Sequence, residues 1–241
     1  MKITVVNGTE KQGVTYRLKE AFLAPFRGQA DITEFYLPRD CPHFCVGCTR
    51  CFRQDERRCK DADDIQRIEK ALREADLLVF TSPAYVFHAT GAMKALLDHL
   101  GYRWMPHRPA GEMFSKRAVI ITQCLGAGAK STARDIRHSL SWWGVSAVKV
   151  CAFRLLGDIA WERLPEKKRA AMLAKIRRTA KLDCRRPART GILVKCKFYV
   201  ARALQKRLGK SHPERADYRY WKSNGWLDGA RPWRERPSCT K

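Results

Sequence analysis

The feature that most constrains this chain is a regular alternation of two patterns. Short runs of β-branched and apolar residues are separated by segments whose apolar residues recur at helical spacing. "KITVVNG", "ADITEFYL", "DLLVFTSP", "KRAVIITQC" and "VSAVKVCAF" are the five apolar runs. Between and after them lie five segments of the second kind. "VTYRLKEAFLAPF" places Val14, Leu18, Ala21 and Phe22 on one helical face and is closed by Pro25. "DADDIQRIEKALREA" is acidic where a helix macrodipole favours negative charge. "TGAMKALLDHL", "KSTARDIRHSLSWWG" and the basic "LPEKKRAAMLAKIRRTAKL" follow. Strands this apolar, each followed by a helix, specify a parallel sheet covered on both faces.

Five strands so connected fit a flavodoxin-like doubly wound α/β fold, strand order 2-1-3-4-5. Its ligand sits at the carboxyl ends of the strands. The pattern assigns residues 1–182 to this domain and 41–59 to a cysteine-rich loop insertion within it. Residues 183–241 form a basic, aromatic C-terminal extension. There "RTGILVKCKFYVARALQKRLGK" predicts an amphipathic helix, and "ADYRYWKSNGWLDGARPWRERPSC" predicts irregular chain. Tyr220, Trp221, Trp226 and Trp233 would be costly to expose together, so the extension is expected to pack on the body or on a neighbouring subunit.

The net charge of +24 is concentrated late: Trp161 to Lys241 holds 24 Lys+Arg against 7 Asp+Glu. Such a tail can meet nucleic acid, an acidic membrane surface or an acidic partner, or be a solvated helix face. No nucleic-acid reader motif accompanies it, so no specific nucleic-acid partner is expected. No apolar run approaches the roughly 18 residues of a membrane span. "MKITVVNG" enters a strand directly rather than a signal-peptide core. A cytoplasmic, reducing setting is expected, where clustered cysteines are metal ligands or redox groups rather than disulfides.

Three turns after strands carry candidate chemistry. "NGTEKQGVTYRL" opens a helix after a glycine turn, which suits a phosphate; Thr9 and Thr15 add hydroxyls and Lys11 a charge. A plain turn is the alternative. "TSPAYVFHATG" offers Pro83 to divert the backbone, and Tyr85 and Phe87 as rings beside a flat ligand, or as caps on the core. "TQCLGAGAKST" has Gly126 and Gly128, which allow close backbone approach. His88, just beyond the second turn, can donate a proton or be a satisfied loop residue. Trp142 and Trp143 suit helix-end packing or a subunit contact.

Taken together, "NGTEKQGVTYRLKEAF", "CVGCTRCF", "SPAYVFHATGAMKALLDHL" and the late "YWKSNGWLDGARPW" resemble the flavodoxin-fold NAD(P)H-dependent FMN reductases, especially the group containing the iron–sulfur flavoproteins. The resemblance implies an FMN-dependent oxidoreductase. It would pass hydride from NAD(P)H through FMN to a quinone, another small molecule or a protein acceptor. It places the FMN phosphate at Gly8, Thr9, Lys11, Gly13, Val14 and Thr15. It lays Ser82, Pro83, Ala84, Tyr85 and Val86 along the ribityl chain and ring, with Gly126 and Gly128 on the flavin's other side. Glu10 stands where Arg is usual in this family and Val14 where Asn is usual; Lys11 offers a charge instead. Relatives of this fold commonly assemble, which implies a homo-oligomer. No catalytic side chain is assigned, because the cofactor carries the hydride chemistry. The alternative is an FMN-containing electron carrier or redox sensor without NAD(P)H turnover.

Cys45, Cys48 and Cys51 are spaced C-x2-C-x2-C, and Cys59 follows. Three thiolates so spaced can occupy three corners of a cubane cluster, with a fourth from farther along. The resemblance implies a 4Fe–4S cluster on these four cysteines. Four thiolates also suit tetrahedral zinc, and a metal-free segment is the third reading. Cys41 lies outside the spacing.

Overall fold

The computed structural model describes residues 1–156, 160–181 and 187–234. The proposed boundary between residues 182 and 183, and Cys184 and Cys239, lie outside the described residues. In chain order the elements are β1 (Lys2–Asn7), α1 (Val14–Leu23), β2 (Asp31–Tyr36), α2 (Arg50–Arg53), α3 (Ala62–Glu74), β3 (Leu77–Pro83), α4 (Gly91–His99), β4 (Arg117–Leu125), α5 (Ala129–Trp143), β5 (Ala147–Leu155), α6 (Glu166–Ala180), α7 (Ile192–Ser211) and α8 (Ala216–Ser223).

The five strands form one sheet in the order β2-β1-β3-β4-β5. All four pairings are parallel, with Val5 opposite Val79, Val79 opposite Val119 and Val119 opposite Lys149. The sheet therefore has one carboxyl rim, where Asn7, Tyr36, Pro83, Leu125 and Leu155 end their strands. β3 is central and buried at every position, which is why its sequence lacks polar alternation. Its odd and even side chains serve different cores. Leu77 and Val79 pack with Val14, Leu18 and Phe22 of α1 and Met172 and Ile176 of α6. Leu78 and Phe80 pack with Ile65, Ile68 and Leu72 of α3, Met93 and Leu96 of α4, and Ile136 and Leu140 of α5. Each such side chain contributes about 1.5–3 kcal/mol on full burial.

The extension builds a third core. Val194, Phe198 and Ala201 of α7 join Trp221, Trp226 and Leu227 against Met105 and Phe114 of the body. The Trp221 indole donates to His107 O at 2.7 Å, and the Tyr220 hydroxyl donates to Pro109 O at 2.8 Å. The tail thus packs on the body. Its aromatic part is more regular than its sequence suggests, because α8 uses Asp217 in its first turn and buries Asp217 and Trp221. The cysteine insertion is also more regular than a loop. It holds α2 and a single turn at Glu56–Arg58, which the Asp55 carboxylate caps by accepting from Arg57 N at 2.8 Å. At the end of α5, Trp143 is buried beside Phe80 and Trp142 stacks on Trp104, so both serve packing within the chain. Among the described residues no helix is long and apolar enough to cross a membrane.

Candidate functional site

At the carboxyl rim a cavity of about 360 Å³ is lined by Thr9, Lys11, Gln12, Gly13, Val14 and Thr15 after β1, by Pro83 and Tyr85 after β3, by Gln123 of β4, and by Ala160, Trp161 and Glu162 after β5. Its size lies in the range of roughly 300–1,000 Å³ usual for cofactor pockets. The first loop delivers the start of α1 into this cavity. Gly13 precedes the helix without a side-chain cap, and the first turn carries no acid. The unpaired amide groups and the positive dipole end are thus offered to an anion. Lys11 stands beside them, its backbone N–H donating to the Thr9 hydroxyl at 3.2 Å.

The rim is tied together behind the cavity. Gly8 N donates to Thr81 O at 2.7 Å, and the Thr90 hydroxyl donates to Gly8 O at 2.6 Å. A Cβ on Gly8 would lie 3.0 Å from both Thr81 O and Thr90 Oγ1, so only glycine fits between β1, β3 and the start of α4 without displacing them. Buried Ser82 spends its hydroxyl on this frame, donating to Pro83 O and accepting from Thr90 N. Gly8 and Ser82 thus shape the rim rather than line the cavity.

After β3 the chain makes a tight hairpin. Ala84 N donates to Gln123 O at 2.8 Å, and Tyr85 and His88 exchange backbone hydrogen bonds. The two residues at the tip, Val86 and Phe87, have φ of 47° and 68°. A two-residue turn of this kind needs positive φ at both positions, and β-branched valine adopts it at a cost. The surroundings impose it. The Ser131 hydroxyl donates to Phe87 O, and Asp135 accepts from Ala89 N at 3.1 Å and from the His88 ring at 3.0 Å. Gly128 sits so close behind that a Cβ there would be 2.8 Å from Phe87 Cα and 3.2 Å from Ala84 Cβ. Tyr85, Val86 and Phe87 stand exposed, Val86 to 90%. Gly128 supports the hairpin from behind, Gly126 donates its N–H to Leu155 O at 2.9 Å, and neither lines the cavity, while His88 is held by Asp135.

Sequence reasoning did not name Gln12, Gln123, Trp161 or Glu162 among the lining residues. The signal for Trp161 was available: it follows the last strand, and the last strand also ends on this rim.

The four spaced cysteines occupy the insertion after β2. Cys45 and Cys48 are exposed, and Cys51 and Cys59 are half-buried. Burial pushes the Cys51 thiol up, and the charges of Cys59, Cys45 and Cys48 push it further. Cys59 is likewise raised, first by burial and also by Asp61, Cys48 and Cys45. Cys41 is buried in the α3–α5 core, and burial raises it to about 12, so it stays a neutral packing thiol.

The insertion is tied to the body at two points. Cys59 Sγ lies 3.9 Å from His99 Nδ1, while His99 Nε2 donates to His43 O at 3.0 Å. Arg108 reaches Cys51 O and the Glu56 carboxylate, the latter at 3.2 Å. His99 ends α4, and Thr90 just before that helix is bonded to Gly8 at the rim. Nine helical residues at about 1.5 Å each separate the rim from the cysteine loop by about 13 Å of rigid helix.

The family model for NADPH-dependent FMN reductases matches residues 1–155. An iron–sulfur flavoprotein of Archaeoglobus fulgidus is 24% identical over 231 residues, covering 93% of this chain and 99% of that protein. One of Methanocaldococcus jannaschii is 28% identical over 142 residues, covering 57% of this chain and 70% of that protein. Among solved structures, an azoreductase from Bacillus anthracis superposes with a TM-score of 0.58 at 17% identity, covering 75% of this chain and 98% of that one; it shows a shared fold. The family match spans β1 to β5 and includes the first two cavity loops and Gln123. With its parallel sheet and rim cavity, the chain is an FMN-dependent NAD(P)H oxidoreductase of flavodoxin-like fold and belongs to the NADPH-dependent FMN reductase family.

Proposed function

We propose that the rim cavity seats FMN with its phosphate at the start of α1, and that the four spaced cysteines hold a 4Fe–4S cluster. The observation that carries the first part is the uncapped α1 N-terminus opening into a cavity shared by three strand ends. Thr9, Lys11, Gly13, Val14 and Thr15 would hold the phosphate through amide, hydroxyl and ammonium donors. Pro83, Ala84, Tyr85 and Val86 would flank the ring, and the strained hairpin keeps them in place without the ligand. Bound FMN supplies hydride acceptance from a nicotinamide and delivery of electrons onward; a bound cluster supplies single-electron exchange. The exposed hairpin tip leaves room for a nicotinamide, a small acceptor or a second copy of the chain to cover it. A cytoplasmic setting and a homo-oligomer belong to the same reading.

The C-x2-C-x2-C spacing, with Cys59 farther along, suits three corners of a cubane and a fourth ligand, and the similarity to iron–sulfur flavoproteins supports that reading over tetrahedral zinc.

The deciding experiment is an anaerobic absorption spectrum with iron, sulfide and zinc analysis, followed by NADH and NADPH turnover. Flavin bands, iron and sulfide, with turnover, are expected. Lys11→Met should weaken FMN retention by about tenfold or more, the loss of one charge-assisted hydrogen bond. Cys48→Ser should lose iron and sulfide while keeping flavin. A colourless protein without FMN affinity rejects the flavin assignment, and zinc in place of iron rejects the cluster. Flavin without turnover shifts the function to electron carriage.

A further inference from the structure

We propose that the outward face of α7, with the basic row on α5 beside it, docks on an anionic lipid bilayer. α7 is apolar on two sides. Its inner side, Val194, Phe198 and Ala201, packs into the tail core. Its outer side leaves Ile192, Leu193 and Val200 70–76% exposed, with Tyr199 and Leu204 about 40% exposed. Leu193, Val200 and Leu204 are seven and four residues apart, so they share one line along the helix. That line runs for about 16 Å. A surface helix in a water-soluble protein ordinarily has one apolar stripe, facing the core. A second stripe of large aliphatic side chains marks a binding face.

Charge selects the occupant. The twenty residues of α7 contain Lys195, Lys197, Arg202, Lys206, Arg207 and Lys210 and no acid. Beside the helix a groove of about 620 Å³ is lined by Lys130, Arg134 and Arg137 of α5 and by Leu193 and Lys197 of α7, again without a carboxylate. The three α5 cations recur about once per turn, and among the described residues none of them makes an ion pair. A second copy laid against this face would bring two cation-rich helices together, and that repulsion opposes self-association here. The partner is therefore negative. The face is a convex helix with protruding aliphatic side chains and flanking cations. A bilayer interface accepts that shape without a matching groove, burying the aliphatic line below the headgroups while Lys and Arg meet anionic lipid.

The test is sedimentation of the full-length flavoprotein with sucrose-loaded vesicles. Phosphatidylcholine vesicles are compared with vesicles that also contain phosphatidylglycerol, at low and high salt. Binding is expected to the anionic vesicles and to fall steeply with salt. Arg134→Gln with Arg137→Gln should lower partitioning by on the order of tenfold or more, the loss expected for two interfacial cations. Leu193→Asp with Val200→Asp should abolish it. All four positions lie outside the flavin cavity, so flavin content and melting temperature should match the parent chain. No binding to anionic vesicles, equal binding to neutral ones, or binding unaffected by either double variant overturns the proposal. So does light scattering that shows a dimer split by Leu193→Asp with Val200→Asp, because the stripe would then be a subunit contact.

Discussion

Removal of the Asp217 carboxylate, as in Asp217→Ala, tests how the C-terminal extension supports the cysteine loop. Asp217 opens α8, and its side chain is only 4% exposed. It accepts from Arg108 Nη1 at 2.5 Å and from His107 Nδ1 at 2.8 Å. Arg108 is 6% exposed, pairs with Glu56 at 3.2 Å, and donates to the carbonyl of Cys51. The substitution leaves a buried guanidinium with one carboxylate instead of two. Breaking a buried pair from one side costs about 3–5 kcal/mol. Glu56 remains, so the lower end, about 3 kcal/mol, is expected. That is a large share of a total stability of roughly 5–15 kcal/mol. At about 2–4 °C per kcal/mol for a chain of this size, the melting temperature should fall by about 6–12 °C. The second readout is specific to the site. With Arg108 less firmly placed, the Cys51 carbonyl loses its tether, and on the proposed cluster assignment iron should be lost to a chelator sooner while flavin stays bound. Urea titration and timed chelation measure the two effects. A loss below about 1 kcal/mol would mean that Glu56 alone satisfies Arg108. Iron and flavin leaving together would mean that the tail supports the whole domain and not the loop.

Three further outcomes follow from the geometry. Burial pushes the Lys116 ammonium down from 10.5 to about 8. Between those values the unfolded chain binds more protons, so stability should rise with pH from about 8 to about 10.5, by about 3 kcal/mol; Lys116→Met should flatten that rise in urea titrations across the range. Val86→Asn, at φ 47°, should raise stability by about 1 kcal/mol by relieving a left-handed conformation that valine tolerates badly, which thermal melts without ligand would detect. Gly8→Ala places a methyl group 3.0 Å from Thr81 O and Thr90 Oγ1. It should cost about 1–3 kcal/mol and loosen FMN retention, measured by equilibrium dialysis.

The sheet was legible because its strands are short, apolar and separated by helices with clear faces. Those are local signals, and their alternation with helices specifies parallel pairing, for which the order 2-1-3-4-5 is one of the common doubly wound solutions. The turn that starts α1 was legible for the same reason, as a glycine-containing segment between an apolar strand and an amphipathic helix. What sequence could not reach was contact between segments far apart along the chain. Gln123 enters the cavity only because β4 ends on the same rim as β1 and β3. Gly128 reads as a ligand-facing glycine until the hairpin is seen 2.8 Å away from where its Cβ would be. Ser82 sits in the most recognisable motif of the chain, yet the fold turns its hydroxyl inward. α8 was missed because it is only eight residues long and runs into glycine-punctuated chain, and it is fixed by burial of Trp221 and by the Arg108 pair, both of which are tertiary.

The same distinction explains why the cysteine insertion depends on its neighbours. Its own apolar residues Phe44 and Val46 are exposed, so it has little core with which to offset the conformational entropy of ordering. What fixes it comes from outside. His99 at the end of α4 holds His43 and faces Cys59, Arg103 and Arg108 hold Glu56, and Phe52 packs edge-on against His107. Arg108 in turn is neutralised from the extension by Asp217. A segment so built gains order from whatever joins its thiols, because ligand binding and loop folding then share one free energy. The helix that carries His99 also begins at the rim of the cavity, through Thr90 and Gly8. The two sites are therefore spaced by a rigid element of the sheet domain, and the C-terminal extension adds to the hold on the cysteine loop through Asp217 and Arg108. Loss of the extension should act first on the thiols and only afterwards on the rim cavity.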